Sequence, residues 1–291
     1  MALVQRLLTV TFTQANGTFQ KSGQNTTTLS KLRMKAKIVK AGGTSMGTAQ
    51  LEIYGITRSD MNALSTLGMQ YILTGRNTVS VQAGDVNGMT QVFSGGITNA
   101  WADFQSSPDV VFHVSAQAGL AASVETGPPS SYKGPVDVAT VMGNLAGKAG
   151  LTLENNGVKT KLPTSYFYGS LRNQIVKCAE NAGIGHYIDD DKLAIWPANG
   201  NRQGDTPLIS PSTGMVGYPA YVVQGIMLKT IFNPAIKFMG QVEVKGSILT
   251  PANSVWNVYS LGHDLNSMVV GGDWFSNIGG YNPNMPRPVT Q

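Results

Sequence analysis

Apolar and polar residues alternate with a period of two through most of the first 120 residues. At the start, Leu8, Val10 and Phe12 alternate with Thr9, Thr11 and Thr13, which predicts a first strand rather than a cleaved leader, since no small-residue cleavage site follows. "TAQLEIYGI", "NTVSVQAG", "MTQVFSGGITNAW" and "PDVVFHVSAQAG" continue the alternation, and each stops at Gly, Asn or Pro. One short helix interrupts them, "RSDMNALSTLG", with Ser59 as its expected N-cap, Leu64 and Leu67 on one face and Gly68 closing it. Short strands at roughly ten-residue spacing suggest a small barrel or sandwich.

The period then changes. Residues 123–135, "SVETGPPSSYKGP", break both periodicities and read as a linker that buries little. From 136 to 204 the spacing is helical in two places. Val138, Val141, Met142, Leu145 and Ala149 form one stripe with Gly150 as a stop, and Leu171, Ile175, Val176 and Ala179 form the other with Gly183 as a stop. "GHYIDDDKLAIWP" follows as two strands joined by an acidic turn, which makes this block a small α+β unit. Residues 205–280 are strand-like again, and the Pro-rich end, 281–291, is expected to extend away or dock on a partner. The fold class is mainly β with a smaller α+β part.

One stretch of the third block stands out, "TGMVGYPAYVVQGIMLKTIFNPAIKFMG", whose only charges are Lys229 and Lys237. Its uncharged window, 213–228, is shorter than the roughly 20 residues a membrane helix needs, and Pro219 and several glycines interrupt it. No membrane span is expected here. The stretch reads as a leading loop, "TGMVGYP", then one long strand through "YVVQGIMLKTIF", then a turn at "NPAIKFMG". On that strand Val223 and Ile226 lie on opposite faces, and the missing charge suits burial.

Composition sharpens this picture. Charged residues are 13% of the 291, against roughly 25% in a typical soluble domain, and the gap is filled by Gly and neutral polar residues. That suits turn-rich β structure and subunits that bury much of their surface against others, because charge is expensive to desolvate. The net charge is +5, with no long basic run. In "RMKAKIVK" the basic residues Arg33, Lys35 and Lys37 alternate with Met34, Ala36 and Ile38, a strand with one charged face that is either solvated or turned toward phosphate. Motifs for nucleic-acid recognition are absent.

Candidate chemistry is thin. Cys178 is the single cysteine, which excludes an intrachain disulfide and a Cys-based zinc site, and its helical context makes it a small buried apolar residue. Of three histidines, His113 and His186 read as structural. His263 is the most tempting, because Asp264 and Ser260 supply the residue types of a triad, although closeness in sequence does not make one. "DDDK", Asp189 to Lys192, lacks the alternate ligands and closing Glu of a calcium loop and reads as a charged hairpin turn. Nucleophile-elbow and phosphate-loop motifs are missing as well. No catalytic, cofactor-binding or metal-binding residue is assigned, no cofactor is expected, and the chain is not read as an enzyme.

The order of these segments resembles the baseplate hub proteins of contractile-tailed phages, of the late-control D type. The residues that carry it are "LRMKAKIVKAGG", "AQLEIYGITRSDMNALSTLG" and "VFSGGITNAWADFQSSPDVVFHVSAQAG" in the first block, then "PVDVATVMGNLAGKAGLTL", "FYGSLRNQIVKCAENAGI" and "DDKLAIWPANG". In the third block they are "ISPSTGMVGYPAYVVQGIMLKTIFNPAIKFMGQVEV", "WNVYSLGHDLNS" and "GGDWFSNI". The patterns are loose one by one and specific in their order. The chain is compact for that family, and nothing after Asn282 looks like an extra C-terminal domain. The resemblance implies two tube-like β-barrel domains, 1–122 and 205–280, with the α+β domain 136–204 between them.

It further implies a homotrimer, in which six such domains form a pseudo-six-fold ring that adapts a hexameric tail tube to a trimeric central spike. Strands such as "YVVQGIMLKTIF" and "GQVEVKG" would then pair or pack with neighbours. The implied partners are the tail tube or a tube-initiator protein, the central spike protein and other baseplate proteins, with DNA passing through the lumen without specific binding. The implied location is the virion tail baseplate, after synthesis in the host cytoplasm. Two other classes compete with this reading: a carbohydrate- or receptor-binding tail module, suggested by aromatic content in a β-rich chain, and a cell-wall-degrading enzyme centred on His263 and Asp264.

Overall fold

The computed structural model describes residues 5–20, 23–41, 45–65, 77–105 and 107–284. The alternating start forms β1 (Leu7–Thr13), β2 (Thr26–Ser30), β3 (Met34–Ala41), β4 (Thr48–Tyr54), β5 (Thr78–Asp85), β6 (Gly88–Asp103) and β7 (Val111–Gln117). Leu8, Val10 and Phe12 of β1 are buried while the threonines between them are not, so the period-two pattern does set the buried face. Helix α1 (Arg58–Leu64) interrupts the strands as expected, but its cap is Thr57 and not Ser59. Thr57 Oγ1 accepts from the Asp60 backbone N–H at 3.2 Å and donates to Asp60 Oδ2 at 2.7 Å, a reciprocal arrangement that only the residue three before Asp60 can make. Leu67 and Gly68, expected to complete this helix, lie outside the described residues.

The stretch 123–135 holds more structure than its composition suggests. It contains the end of α2 (Leu120–Val124) and the short strand β8 (Ser130–Tyr132), which pairs with β12 (Ser165–Phe167). Ser130 is buried and donates to Gln174 Oε1 at 2.8 Å, a polar contact invisible to an apolar pattern. The helical block forms α3 (Val138–Lys148) and α4 (Leu171–Ala182). Ser170 caps α4 by accepting from Asn173 N–H, and Gly183 ends it in the left-handed conformation. Both helices pack on a three-stranded sheet of β10 (Thr152–Asn155), β14 (Lys192–Pro197) and β13 (Ile184–Asp189), with β9 (Val136–Asp137) and β11 (Lys161–Leu162) paired beside it. Gly185 is required in β13, because a Cβ there would lie 2.1 Å from Trp196 Nε1.

The third block supplies β15 (Leu208–Ile209), β16 (Met215–Val222), β17 (Gly225–Ile231), β18 (Gln241–Val244), β19 (Val255–Ser267) and β20 (Trp274–Tyr281). Here the long uncharged strand expected from "YVVQGIMLKTIF" is a hairpin instead. Val222 pairs with Gly225 across a two-residue turn at Val223 and Gln224, and the leading "loop" is strand β16. Gly225 takes φ +142°, and a Cβ on it would sit 2.1 Å from the Gly280 carbonyl oxygen, so the chain turns where only glycine fits. The burial expectation also changes. Ile226 is fully buried, but Val223 at the tip is fully exposed and Pro219 is the one buried residue of β16.

Both β-rich blocks join one 13-stranded sheet. Its main path runs β16-β17-β20-β19-β3-β4-β7-β6-β5-β1-β2, with β18 on β19 and β15 on β18, and among the described residues this path does not close on itself. The fold is mainly β, as expected. Among the described residues its apolar interior divides into three clusters: one drawn from β1–β7 and α1 with Leu265 and Trp274, one from the α+β block, and one from the third block with Tyr187, Ala194 and Trp196.

Candidate functional site

The place where all three blocks meet is the seam between β3 and β19. Eight antiparallel pairs cross it, from Met34↔Ser267 to Ala41↔Ser260, so the first and third blocks share backbone hydrogen bonds like any two neighbouring strands. Period two assigns each residue of the seam to one side. Inward are Met34, Ala36, Ile38 and Lys40 on β3, facing Ser267, Leu265, His263 and Leu261 on β19. Outward are Lys35, Lys37 and Val39, facing Asn266, Asp264 and Gly262.

The outward side is a polar face that runs uninterrupted across the seam. One row of cross-strand neighbours reads Trp101, His113, Glu52, Lys35, Asn266. The next reads Asn99, Ser115, Gln50, Lys37, Asp264, Phe275. Charge on it is met locally at several positions. Lys35 pairs with Glu52 at 2.9 Å, Asn277 donates to Asp264 Oδ2 at 2.7 Å, and Lys229 lies 4.0 Å over the Phe275 ring. Hydrogen bonding from Lys35 holds the Glu52 carboxyl below its usual range. The alternating basic residues of "RMKAKIVK" thus lie on this face, with Lys35 neutralised across the strand pair. Trp101 is 42% exposed and stacks on His113 at 4.9 Å, which accounts for that histidine.

The inward side carries the buried charges. Lys40 breaks the phase of its strand: after three outward basic residues, the fourth points in, and Val39 takes the outward place. Its Nζ donates to Asp189 Oδ1 at 2.5 Å and lies 3.4 Å from Asp190 Oδ2. Asp190 Oδ1 accepts from the Ser94 backbone N–H at 3.0 Å. Arg202, whose side chain is 2% exposed, forks onto Glu154 with two bonds of 2.9 Å and reaches Asp189 Oδ2 at 2.6 Å. The acidic turn of "DDDK" is therefore a hairpin turn, as expected, but two of its aspartates are spent on buried cations, Lys40 of the first block and Arg202 of its own, and not on solvent.

Burial raises the cost of charge throughout this cluster, and opposite charge outweighs it at most members. Burial opposes ionisation of Asp189, yet Lys40 and Arg202 hold its carboxyl down to about 2. Burial likewise opposes the Lys40 ammonium, and the two aspartates keep it above the usual lysine range. The bond from Arg202 pulls Glu154 down. Asp190 goes the other way: burial and the neighbouring Asp189 raise it despite Lys40, which leaves one carboxyl in surplus among three carboxyls and two cations.

His263 does not build a triad. Its Nδ1 lies 3.0 Å from Ser276 Oγ, its ring meets Phe232 edge-on at 5.4 Å, and burial pushes it down to about 3, so it is a neutral core residue. Asp264 is the next residue on the strand and points to the opposite face, while Ser260 is three residues away beside Gly279. His186 is also neutral, pushed down to about 4 by burial and then by Arg172. Cys178 is buried and its thiol is pushed up to about 12, as suits an inert packing residue. Among the described residues no group of three or more His, Cys, Asp or Glu side chains is arranged to hold a metal ion, and no helix is long and apolar enough to cross a membrane.

Comparison with known proteins places this architecture. Comparison with curated proteins gives no match. Among solved structures, the chain is similar to the 43 kDa tail protein of prophage MuSo2 from Shewanella oneidensis, with a TM-score of 0.60 at 10% identity over 95% of this chain and 99% of that one. It is similar to a tail protein from Neisseria meningitidis, with a TM-score of 0.61 at 9% identity over 94% and 96%. A component of the type VI secretion system from E. coli gives 0.55 at 8% identity over 88% and 76%. These likenesses share the fold. At the level of sequence, the family model for baseplate hub gp41 matches residues 7–270, nearly the whole described chain. The chain belongs to the baseplate hub gp41 family, and is a structural component of a phage tail.

Proposed function

We propose that three copies of this chain form a ring on the tail axis, each contributing two tube-like β domains (1–122 and 205–280) with the α+β domain 136–204 between them. Six such domains present pseudo-six-fold symmetry to the tail tube or a tube-initiator protein, and three-fold symmetry to the central spike protein. The observation that carries this reading is the β3–β19 seam, an edge-to-edge joint between two β blocks within one chain. Repeating such a joint between copies would use the two ends of the main sheet path among the described residues, β16 and β2. Unlike edges joined head to tail make rings, and a ring leaves no edge unpaired.

The hairpin of β16 and β17 supports the same reading. Val216, Tyr218, Tyr221, Val222 and Val223 are all exposed in the single chain and no charge interrupts them. Contact with a neighbouring copy would remove that surface from water. The polar face across the seam would line the lumen, where charges of both signs among neutral polar side chains let DNA pass without holding it. The role is structural, in the virion baseplate among other baseplate proteins, after synthesis in the host cytoplasm, and it requires no cofactor. The native mass of the hub released from tails tests this: three copies per complex are expected, and a single copy would overturn it.

A further inference from the structure

We propose that the α+β block is a staple across the seam, and that its acidic turn fixes the angle at which the first and third β blocks meet. This inference concerns the single chain and holds or fails independently of the ring. A two-strand ladder sets spacing and register firmly, but the rotation between neighbouring strands varies by tens of degrees among proteins, so eight pairs alone leave the joint soft in twist.

The two ends of the seam are held differently. At the Met34↔Ser267 end, Leu265 and Trp274 of the third block enter the apolar cluster of the first. At the Ala41↔Ser260 end, the first block instead offers Lys40, and the turn of the α+β block closes on it through Asp189 and Asp190. The same turn is tied to the first block again at Ser94 N–H. On its other side Asp189 is bonded to Arg202, which also reaches the Phe238 carbonyl at 3.4 Å and whose own N–H donates to the Met239 carbonyl at 2.8 Å, both in the third block. Asp189 is therefore bonded to Lys40 of the first block and to Arg202, a residue of its own block that is anchored on the third.

The distribution of apolar packing explains why ions are used. The α+β block lends Tyr187, Ala194 and Trp196 to the cluster of the third block, and Tyr187 meets Phe238 at 4.5 Å. Among the described residues the apolar cluster of the first block takes none from it. Beside Asp190, a cleft of about 620 Å³ lined by Gly95, Gly96, Ala121 and Gly150 separates the two. The block thus shares an apolar cluster with the third block, while it touches the first where Ile188 packs on Gly119 and through the charged contacts at Lys40 and Ser94. Ion pairs and forked bonds are directional where apolar contact is not, so the charged contacts are the ones that specify an angle.

Hydrogen exchange on the full chain tests the proposal. The double variant Lys40→Met, Asp190→Asn removes the half of the cluster that faces the first block and leaves Arg202 on Asp189 and Glu154. Amides near Ala41 and Ser260 are expected to exchange about tenfold faster, with those of α3 unchanged. Unchanged exchange at that end of the seam would overturn the proposal. Lys40→Met alone removes the ion pair to the turn, keeps Asp190 on the Ser94 N–H and guards against a double variant that does not fold. A several-fold rise confined to the same end is expected, and wild-type rates there would overturn the proposal equally.

Discussion

Lys40 Nζ donates to Asp189 Oδ1 at 2.5 Å, joining a seam strand of the first block to a turn 149 residues later in the α+β block. Side-chain exposure is 10% for the lysine and 12% for the aspartate. Truncating the lysine leaves the buried carboxyls of Asp189, Asp190 and Glu154 with Arg202 alone, in a medium that solvates them poorly. Lys40→Ala should lower unfolding free energy by about 3–5 kcal/mol. Lys161→Ala, which removes an exposed partner 3.9 Å from Asp137, should cost no more than about 1 kcal/mol. Urea denaturation of the two variants side by side checks the contrast, and equal losses would contradict the placement of Lys40.

Acid should weaken the fold before its carboxylates titrate. His263 and His186 are held neutral, down to about 3 and about 4, while an unfolded chain protonates both near 6.5. Their folded affinity for protons is the lower one, so the unfolded state gains protons first as pH falls. Stability is full above 6.5 and declines from there toward 4, by up to about 1.4 kcal/mol per pH unit for each histidine. Asp189, with its folded value lowered to about 2, adds a loss only below about 4. Denaturant midpoints at pH 7, 6 and 5 should fall in order, and His263→Gln should flatten the trend.

How much of this was legible beforehand depended on which physical signal carried it. The strands of the first block announced themselves because one face of each is buried, and Leu8, Val10 and Phe12 obey that rule. Glycine stops at 150 and 183 were legible for the same local reason, since a helix ends where the left-handed conformation is available. The hairpin at Val223 was not, because β16 exposes seven of its eight residues or leaves them half-buried and so has no apolar period to read. Gly225, two residues after a β-branched pair, is its one local signal.

The buried cluster was half legible. Lys40 sits where the strand's own alternation demands an apolar residue, which marks a buried cation in need of partners. Its partners lie about 150 residues away, and no local pattern could pair them. Arg202 follows Gly200 and Asn201 in a stretch that reads as ordinary loop. The seam itself had no local signature either, because strand pairing between blocks depends on which edges are left free.

Tyr187 offers a test with the opposite sign. Its hydroxyl is buried and has no hydrogen-bond partner among the described residues, while its ring packs on Phe238. Tyr187→Phe keeps the ring and deletes an unsatisfied group, so stability should be unchanged or raised by about 1 kcal/mol. A clear loss in thermal denaturation would show that the hydroxyl is paired in solution.

The uncharged hairpin separates folding from assembly. Ile226→Asp buries a lone carboxylate in the third cluster and should prevent folding. Val223→Asp, at the exposed tip, should leave stability within about 0.5 kcal/mol. Tyr221→Asp with Val222→Asp should likewise leave the isolated chain folded while abolishing its incorporation into tails. Circular dichroism and the protein content of purified particles read the two effects separately. Normal incorporation of the Tyr221, Val222 variant would remove the hairpin from the proposed interface.

Imaging the assembled tail tests the central claim most directly. An averaged density map at the base of the tail should show three copies of this chain around the axis, their six β blocks forming one ring with the Trp101–Lys35 face toward the channel. A chain lying off the axis, or a ring of any other copy number, would contradict it.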